Sequence, residues 1–480
     1  MAQQTKITNA ANLFLNTLED QKCPVIFYEG NVFQYNGKGA WDLLRSKDDI
    51  DKKFENALMA ACEEWGAEYS KAHRAIWRTV QTLATATKAK IDAKPYIALK
   101  NGTLSFLDRE LLEWDDEHYI TRRVPFTYDP KAKCPRWLEA LERLLRDKSR
   151  DAEETRRCIK FLQQWFGVNL VGPAAKQSRY LKKALIFIGR TGSAKSSVTN
   201  VFKALIGTEN VSSKPLHQIS SEFGKADLIG RHAWIADDVT DGNKELDPNG
   251  FKVLVTGETV NANRKNRDDV NFVFEGAILM TANGMPKIPD NSGAAFDRLS
   301  IIQLKNQFSP ETAKKQLEGT AGLVEFLQKH NEFPGIINWA LDGFEEAARD
   351  KSFTQPKTIR NFVDEKRRDS NSTYDFVREG IVEDPRFTLH IDALAAVAVE
   401  FAAQRHARKM SHKQAITELT EVIEEVLQEA DIEHDETNSR AKYVNGAKVA
   451  PEALAYWALA KDRGNPSIAN IDKPHFRRKP

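Results

Sequence analysis

The feature that most constrains this chain is a glycine-rich turn between an apolar run and a helix-forming run. The apolar run covers residues 184–188, and the turn reads Gly-Arg-Thr-Gly-Ser-Ala-Lys-Ser over residues 189–196. A buried strand that ends in such a turn and opens a helix aims backbone N–H groups at one point, which suits the phosphates of a nucleotide. The pattern predicts that Lys195 contacts the β- and γ-phosphates of ATP and that Ser196 ligates Mg²⁺. The residues expected to contact the nucleotide are Gly189, Arg190, Thr191, Gly192, Ser193, Ala194, Lys195, Ser196 and Ser197.

One residue of this loop departs from the usual pattern. Ala194 stands where the pattern asks for glycine. A methyl group is accommodated there when the backbone keeps a negative φ, and we expect this accommodation. The loop is therefore expected to bind nucleotide, and only the rate of hydrolysis is left open.

Length and composition limit the class of protein. A chain of 480 residues suggests roughly three domains. The 41% hydrophobic share is ordinary, and no apolar stretch has membrane-spanning length, so a cytoplasmic protein without a membrane partner is expected. The four cysteines show no paired spacing, which indicates reduced structural thiols. A net charge of +2 excludes a uniformly basic nucleic-acid coat but leaves room for local basic patches.

Periodicity predicts an α/β core with smaller flanking domains. Apolar runs and helical segments alternate from residue 181 to 308, which is typical of a parallel sheet between helices, with strands at 184–188, 233–236 and 277–281. The N-terminal region is expected to hold a strand pair, one long helix over 54–83 and a hairpin at Asn101-Gly102. Near the C-terminus, helices over 392–404 and after Ser411 precede a polar stretch, 431–448, that could form a wing. A winged helix and another small helical domain both fit this pattern.

Polar residues follow the later strands of the predicted core. Asp237 and Asp238 end the strand 233–236, and Asn283 follows the strand 277–281. Carboxylates beside a phosphate loop suit Mg²⁺ and an attacking water, so Asp237 is assigned to the metal and Asp238 to the water. Asn283 would position that water, and Arg298 could reach the ATP of a neighbouring subunit. Helix caps, turns and surface ion pairs are the alternative roles for these residues.

A polar, basic segment lies between the second and third of these strands. It contains Arg264, Lys265 and Arg267, and Lys252 precedes it on an expected helix. Arginine and lysine at a loop tip can hold DNA phosphates without reading sequence. A solvated turn is the alternative interpretation.

The order of these motifs resembles that of superfamily 3 helicases, specifically the ATPase half of phage and plasmid primase-helicases related to the poxvirus primase-helicase. The resemblance covers most of the chain. It rests on the phosphate loop, the acid pair, the segment from Lys252 to Arg264, the Thr-Ala-Asn sequence at 281–283 and Arg298. Outside the core, residues 100–102, 128–130, 134–137 and 332–343 are also similar.

The resemblance implies a ring-forming AAA+ ATPase, usually hexameric, that uses ATP and Mg²⁺ to translocate 3′→5′ on single-stranded DNA. Such a protein unwinds forked duplex during replication of a phage or mobile element, in the cytoplasm of a bacterial host. Arg264, Lys265 and Arg267 would form its pore loop, and Arg298 its trans-acting finger. Asp238 departs from the glutamate of many phage relatives.

The expected domains are an N-terminal α+β accessory domain (1–150), an AAA+ core (151–310), a helical segment (311–385) and a mainly helical, DNA-binding C-terminal domain with a basic tail (386–480). No primase domain is expected, so a separate primase or initiator would be an additional partner. Two alternatives remain open. One is an origin-binding initiator or nucleotide switch with slow ATP turnover, and the other is a motor that acts on protein.

Overall fold

The structure is a computed structural model, and it describes two compact units. The described residues are 2–477 except 29–30, 45–46, 67, 86–90, 176–177, 220, 240–246, 264–269, 287, 289–294, 319–321, 371, 407–408, 428–429, 435–440, 466–467, 469–470 and 472–473. The first unit comprises Met1–Val239, Val253–Gly284 and Ile302–Pro356, and the second Thr240–Lys252, Met285–Ile301 and Lys357–Pro480. Among the described helices, none is long and apolar enough to cross a membrane. The predicted domain boundaries stay predictions.

The N-terminal region confirms the predicted strand pair but divides the predicted long helix. Its antiparallel sheet has the order β1-β2-β3. The helix prediction over 54–83 was wrong, because the chain leaves the helical path at Gly66, whose φ of +63° lies in the left-handed region. The elements are α1 (Ala2–Asp20), β1 (Val25–Tyr28), β2 (Asn31–Tyr35), β3 (Trp41–Leu44), α2 (Lys47–Glu64) and α3 (Tyr69–Leu83).

A second small sheet confirms the predicted hairpin. Leu99 pairs with Gly102 at its turn, and the side chain of Asn101 exchanges two 2.9 Å hydrogen bonds with the backbone of Tyr128. All four cysteines are free thiols, as predicted, and burial raises the pKa of Cys134 to about 12. This region comprises β4 (Tyr96–Leu99), β5 (Gly102–Ser105), β6 (Glu110–Leu112) and α4 (Pro135–Leu145).

The central sheet has five strands, and it contains the three predicted ones. Its order is β13-β7-β12-β9-β8, and β12 pairs in parallel with both β7 and β9. Strands β7, β9 and β12 are buried along their whole length, which explains their unbroken apolar sequences. The elements are α5 (Ala152–Val171), β7 (Ala184–Ile188), α6 (Lys195–Ile206), β8 (Val211–Ser212), α7 (Leu216–Ile219), α8 (Glu222–Lys225), β9 (Ala233–Ala236), α9 (Pro248–Thr256), β10 (Thr259–Ala262), β11 (Val270–Val273), β12 (Ala277–Ala282) and β13 (Leu299–Gln303).

Three helices follow the sheet, and residues from this part of the chain fix both ends of α4. The buried carboxylate of Glu332 accepts hydrogen bonds from the backbone N–H groups of Arg136 (3.0 Å) and Trp137 (3.1 Å). At the other end, the Asn306 amide donates to the carbonyls of Arg143 and Arg146. Both helix ends are thereby satisfied by distant side chains. The three helices are α10 (Pro310–Gln316), α11 (Leu323–Lys329) and α12 (Phe333–Asp350).

The second unit has its own hydrophobic core, which extends from Phe376 to Ile468. It contains an antiparallel sheet of order β15-β16-β14-β17. The prediction of a mainly helical domain did not include this four-stranded sheet. The predicted wing stretch does form a strand pair, β15 with β16. The winged-helix alternative stays a prediction. The elements are α13 (Lys357–Ser370), α14 (Ser372–Gly380), β14 (Ile381–His390), α15 (Ile391–His406), α16 (His412–Val426), β15 (Asp431–His434), β16 (Ala441–Val449), α17 (Leu454–Asp462) and β17 (His475–Arg477).

Helices α5 and α12 cross with their backbones in contact at two glycines. A Cβ atom added to Gly167 would lie 1.9 Å from the carbonyl oxygen of Ala340, and one added to Gly343 would lie 2.4 Å from that of Gln163. Both of these nearest atoms belong to the backbone and cannot rotate away as a side chain could. The two helices would therefore have to move apart to make room for a Cβ atom.

We therefore predict that Gly167→Ala lowers the free energy of unfolding of the first unit by about 1 to 3 kcal/mol or more. Urea denaturation followed by tryptophan fluorescence measures this change. Gly322→Ala is the matched control, since an added Cβ there meets no atom within 4 Å, and its effect should be about 0.5 kcal/mol or less. Equal effects of the two substitutions would contradict the close crossing.

Candidate nucleotide-binding site

The predicted phosphate loop connects β7 to α6 and is held by backbone hydrogen bonds from two directions. The N–H of Gly189 donates to the carbonyl of Ala282 at the end of β12 (3.1 Å). On the other side, the N–H of Phe308 donates to the carbonyl of Gly192 (2.9 Å). The first turn of α6 begins at Lys195, so its N-terminus faces the turn as a phosphate-binding loop requires.

The expectation of a negative φ at Ala194 was wrong. Ala194 is the residue before α6 and adopts φ +61° and ψ +24°, the left-handed conformation. Only glycine enters this region without steric cost, and another L-residue there costs about 1 to 2 kcal/mol. The loop thus requires a left-handed backbone conformation at this position, which is the reason that glycine is usual there. Ala194 adopts the same conformation with steric strain.

Lys195 joins the loop to the end of β12. Its ammonium group donates to the carbonyls of Gly189 and of Arg190 (3.3 Å) and to the side-chain oxygen of Asn283 (3.1 Å). The Asn283 amide in turn donates to Oδ1 of Asp238 (3.3 Å). Lys195, Asn283 and Asp238, which follow β7, β12 and β9, are therefore linked in one hydrogen-bonded series. The catalytic roles predicted for them stay predictions.

Thr281, one residue before the end of β12, forms hydrogen bonds to both residues of the acid pair. Its hydroxyl donates to Oδ1 of Asp237 (3.2 Å) and accepts from the backbone N–H of Asp238 (3.1 Å). Thr281 is 3% exposed. Thr281 is not among the predicted site residues, although a hydroxyl within an otherwise apolar strand is a usable signal of such a role.

The carboxylates are exposed and have the chemistry that Mg²⁺ requires. Asp238 has a φ of +50°, a conformation that aspartate tolerates better than most residues. Asp237, Asp238 and Ser196 are all exposed to solvent. In the part of the chain that the structure describes, no cluster of three or more His, Cys, Asp or Glu residues could form a metal cage. One carboxylate, one hydroxyl, water and phosphate oxygens are a donor set that suits Mg²⁺, so the residues fit this ion.

The remaining predicted residues are the cations assigned to DNA and the arginine assigned to a neighbouring subunit. Arg264, Lys265 and Arg267 lie outside the described residues, but the strands that flank them, β10 and β11, pair as an antiparallel hairpin. Lys252 lies on α9 and is half-buried, and Arg298 ends a short 3₁₀ helix directly before β13. Both belong to the second unit. Their predicted roles stay predictions.

Two family models match parts of this chain. Residues 26–146 match the model described as D5 N terminal like, and residues 187–298 match that of a family of unknown function, DUF5906. The first match falls in the region expected to be an accessory domain and supports the resemblance to phage primase-helicases.

The chain is also similar to solved structures of the NrS-1 C-terminal region. "The A form apo structure of NrS-1 C terminal region-CTR" is 13% identical with a TM-score of 0.42, and the match covers 91% of this chain and 98% of that chain. "The apo structure of NrS-1 C terminal region (305-718)" is 15% identical with a TM-score of 0.43, and the match covers 92% of this chain and 100% of that chain.

We predict that Ala194→Gly raises the free energy of unfolding of the first unit by about 0.5 to 1 kcal/mol, because glycine relieves the left-handed strain. Ala204→Gly, inside α6, is the matched control and should lower the same quantity by about 1 kcal/mol. Urea denaturation compares the two variants. Destabilisation by both substitutions would contradict the strained conformation of Ala194.

Proposed function

We propose that this protein is an ATP-dependent DNA helicase that hydrolyses ATP at the site formed by the phosphate loop, Asp237, Asp238 and Asn283. The observation that carries the proposal is the hydrogen-bonded series from Lys195 through Asn283 to Asp238. The ammonium group of Lys195 and the carboxylate of Asp238 lie at opposite ends of the Asn283 amide, which supports roles for them at the phosphates and at the nucleophile. This is the arrangement that phosphoryl transfer to water needs.

In the proposed mechanism, Lys195 exchanges the loop carbonyls for the β- and γ-phosphates of ATP. Ser196 and Asp237 would hold Mg²⁺, which supplies positive charge next to the phosphates. Asp238 polarises the attacking water, and Asn283 keeps that carboxylate in position. Because the Thr281 hydroxyl holds the carboxylate of Asp237 and the backbone of Asp238, the relative position of the two residues is preorganised.

We further propose that the protein forms a homo-oligomeric ring, a hexamer by resemblance, that moves 3′→5′ along single-stranded DNA and opens forked duplex in phage or mobile-element replication. The β10–β11 hairpin supports this proposal, because its connecting segment carries Arg264, Lys265 and Arg267. These cations would hold the DNA backbone without selecting a sequence. Arg298 would complete the ATP site of the adjacent subunit.

The first test is ATP turnover by the full chain with and without single-stranded DNA, together with strand displacement on forks with a single 3′ or 5′ tail. DNA should stimulate turnover, and only the fork with a 3′ tail should be unwound. Lys195→Ala should reduce turnover by about 100-fold or more, since it removes the cation that contacts the phosphates. Lys203→Ala, on the same helix, is the control and should retain activity.

Two outcomes would overturn the helicase proposal. Normal ATP turnover without displacement of any strand would favour the origin-binding initiator or nucleotide switch. Turnover that no nucleic acid stimulates would favour a motor that acts on protein.

The second test asks whether Arg298 acts across a subunit interface. Lys195→Ala and Arg298→Ala subunits are each expected to be inactive, but rings mixed from the two should recover ATPase activity. In such rings, some sites combine an intact Lys195 with an intact Arg298 from the neighbour. The control variant is Arg349→Ala, because the Arg349 side chain is 72% exposed. This variant should be active by itself, and in the control mixture it takes the place of Arg298→Ala beside Lys195→Ala. Mixtures that stay inactive while rings still form would refute the role in trans.

A further inference from the structure

A cavity of about 590 Å³ lies in the N-terminal part of the first unit. Its described lining residues come from the turn after α1, the end of β2, the turn between β4 and β5, and the segment that follows β6. None of them belongs to the candidate nucleotide site. Pockets for organic ligands occupy about 300 to 1,000 Å³, so this cavity has room for a side chain and the backbone that carries it.

Acidic groups dominate the charge of this cavity. Its carboxylates are those of Glu19, Glu113, Asp115 and Asp116, and they are opposed by the ammonium group of Lys22. Within the described part of the chain, none of these four carboxylates forms an ion pair. The excess negative charge would attract a cationic ligand and repel the phosphates of DNA.

A tryptophan ring forms part of the cavity wall and is held in place. The indole N–H of Trp114 donates to the carbonyl of Leu99 (3.0 Å). The ring also packs on Gly39, where an added Cβ atom would lie 2.4 Å from Cδ1 of the indole. Trp114 is nevertheless 38% exposed. A fixed, partly exposed indole offers a surface on which a guanidinium group can stack through a cation–π interaction.

Tyr35 supplies a buried hydroxyl group whose proton is available to a ligand. Tyr35 lines the cavity and is 7% exposed, and its hydroxyl accepts a hydrogen bond from the backbone N–H of Gly39 (3.0 Å). Burial, and next the charges of Asp116 and Asp115, raise the pKa of Tyr35, so the hydroxyl keeps its proton at neutral pH. Among the contacts of the described residues, that proton has no acceptor. A carbonyl oxygen of a ligand would supply one.

We propose that this cavity binds an arginine side chain and an adjacent backbone carbonyl from a basic segment of a partner protein. The carboxylates would accept hydrogen bonds from the guanidinium group, which would stack on Trp114. The Tyr35 hydroxyl would donate to the carbonyl. Residues 26–146 match the D5 N terminal like family and include Tyr35 and Trp114. The accessory region would thus recruit a protein, a role that is independent of ATP hydrolysis.

Isothermal titration of the full chain with an acetylated and amidated hexa-arginine peptide tests this proposal, in about 0.15 M salt to screen exposed charges. The double variant Asp115→Asn, Asp116→Asn should weaken binding about tenfold or more, because it removes two carboxylates with little change in side-chain size. Asparagine can also keep the hydrogen bond that the Asp115 side chain accepts from the backbone N–H of Glu117. The matched control is Glu63→Gln, Glu64→Gln, which removes the same charge from exposed residues of α2 outside the cavity wall.

Two single variants test the charge and the ring separately. Lys22→Asn should tighten binding about threefold, because it removes the ammonium group that opposes the bound cation. Asparagine tolerates the φ of +57° that Lys22 adopts. Trp114→Leu should weaken binding about threefold through loss of the cation–π contact.

Three results would overturn the proposal. The first is that the wild type does not bind the peptide, and the second is that the acidic double variant binds it as tightly as the matched control. The third is that Lys22→Asn weakens binding or leaves it unchanged. Circular dichroism establishes whether each variant is folded. If the acidic double variant is not folded, the opposite changes expected for Lys22→Asn and Trp114→Leu decide the question.

Discussion

The central position of β12 is the constraint on which the candidate site depends. This strand pairs in parallel with β7 on one side and β9 on the other, so the carboxyl ends of all three strands meet at one edge. The loop after β7, the acid pair after β9 and Asn283 after β12 then become neighbours without any further folding requirement. The buried hydroxyl of Thr281 adds a further constraint, since it donates to the carboxylate of Asp237 and accepts from the backbone N–H of Asp238.

The parts of this arrangement that are local in sequence could be predicted, and the parts that depend on distant partners could not. The strands β7, β9 and β12 are unbroken apolar runs, and the loop follows a pattern with a known physical basis. The conformation of Ala194 was predicted with the wrong sign of φ, because residue type favours negative φ while the loop geometry imposes the opposite. Tertiary structure prevailed over local preference at that residue.

Strand β14 shows a second limit of sequence patterns. It contains Asp384, Pro385 and Arg386 within ten residues, and its pairing with β16 shifts register between Glu383 and Thr388. A proline and a cluster of charges argue against a strand when read locally. The bulge accommodates them, and Asp384 gains two cationic partners, Arg386 and Lys448, which hold the pKa of its carboxyl group well below the usual range. Lys448 lies 64 positions away, beyond any local window.

The crossing of α5 and α12 has a mechanical consequence. Helices that meet through side chains can slide by small steps as rotamers change, which is how many proteins accommodate shear. Here the backbones themselves touch at Gly167 and Gly343, so there are no side chains at those points to rearrange. A displacement along either axis would drive a neighbouring Cβ atom into the opposite backbone. Any movement of α5 must therefore carry α12 with it as one rigid body.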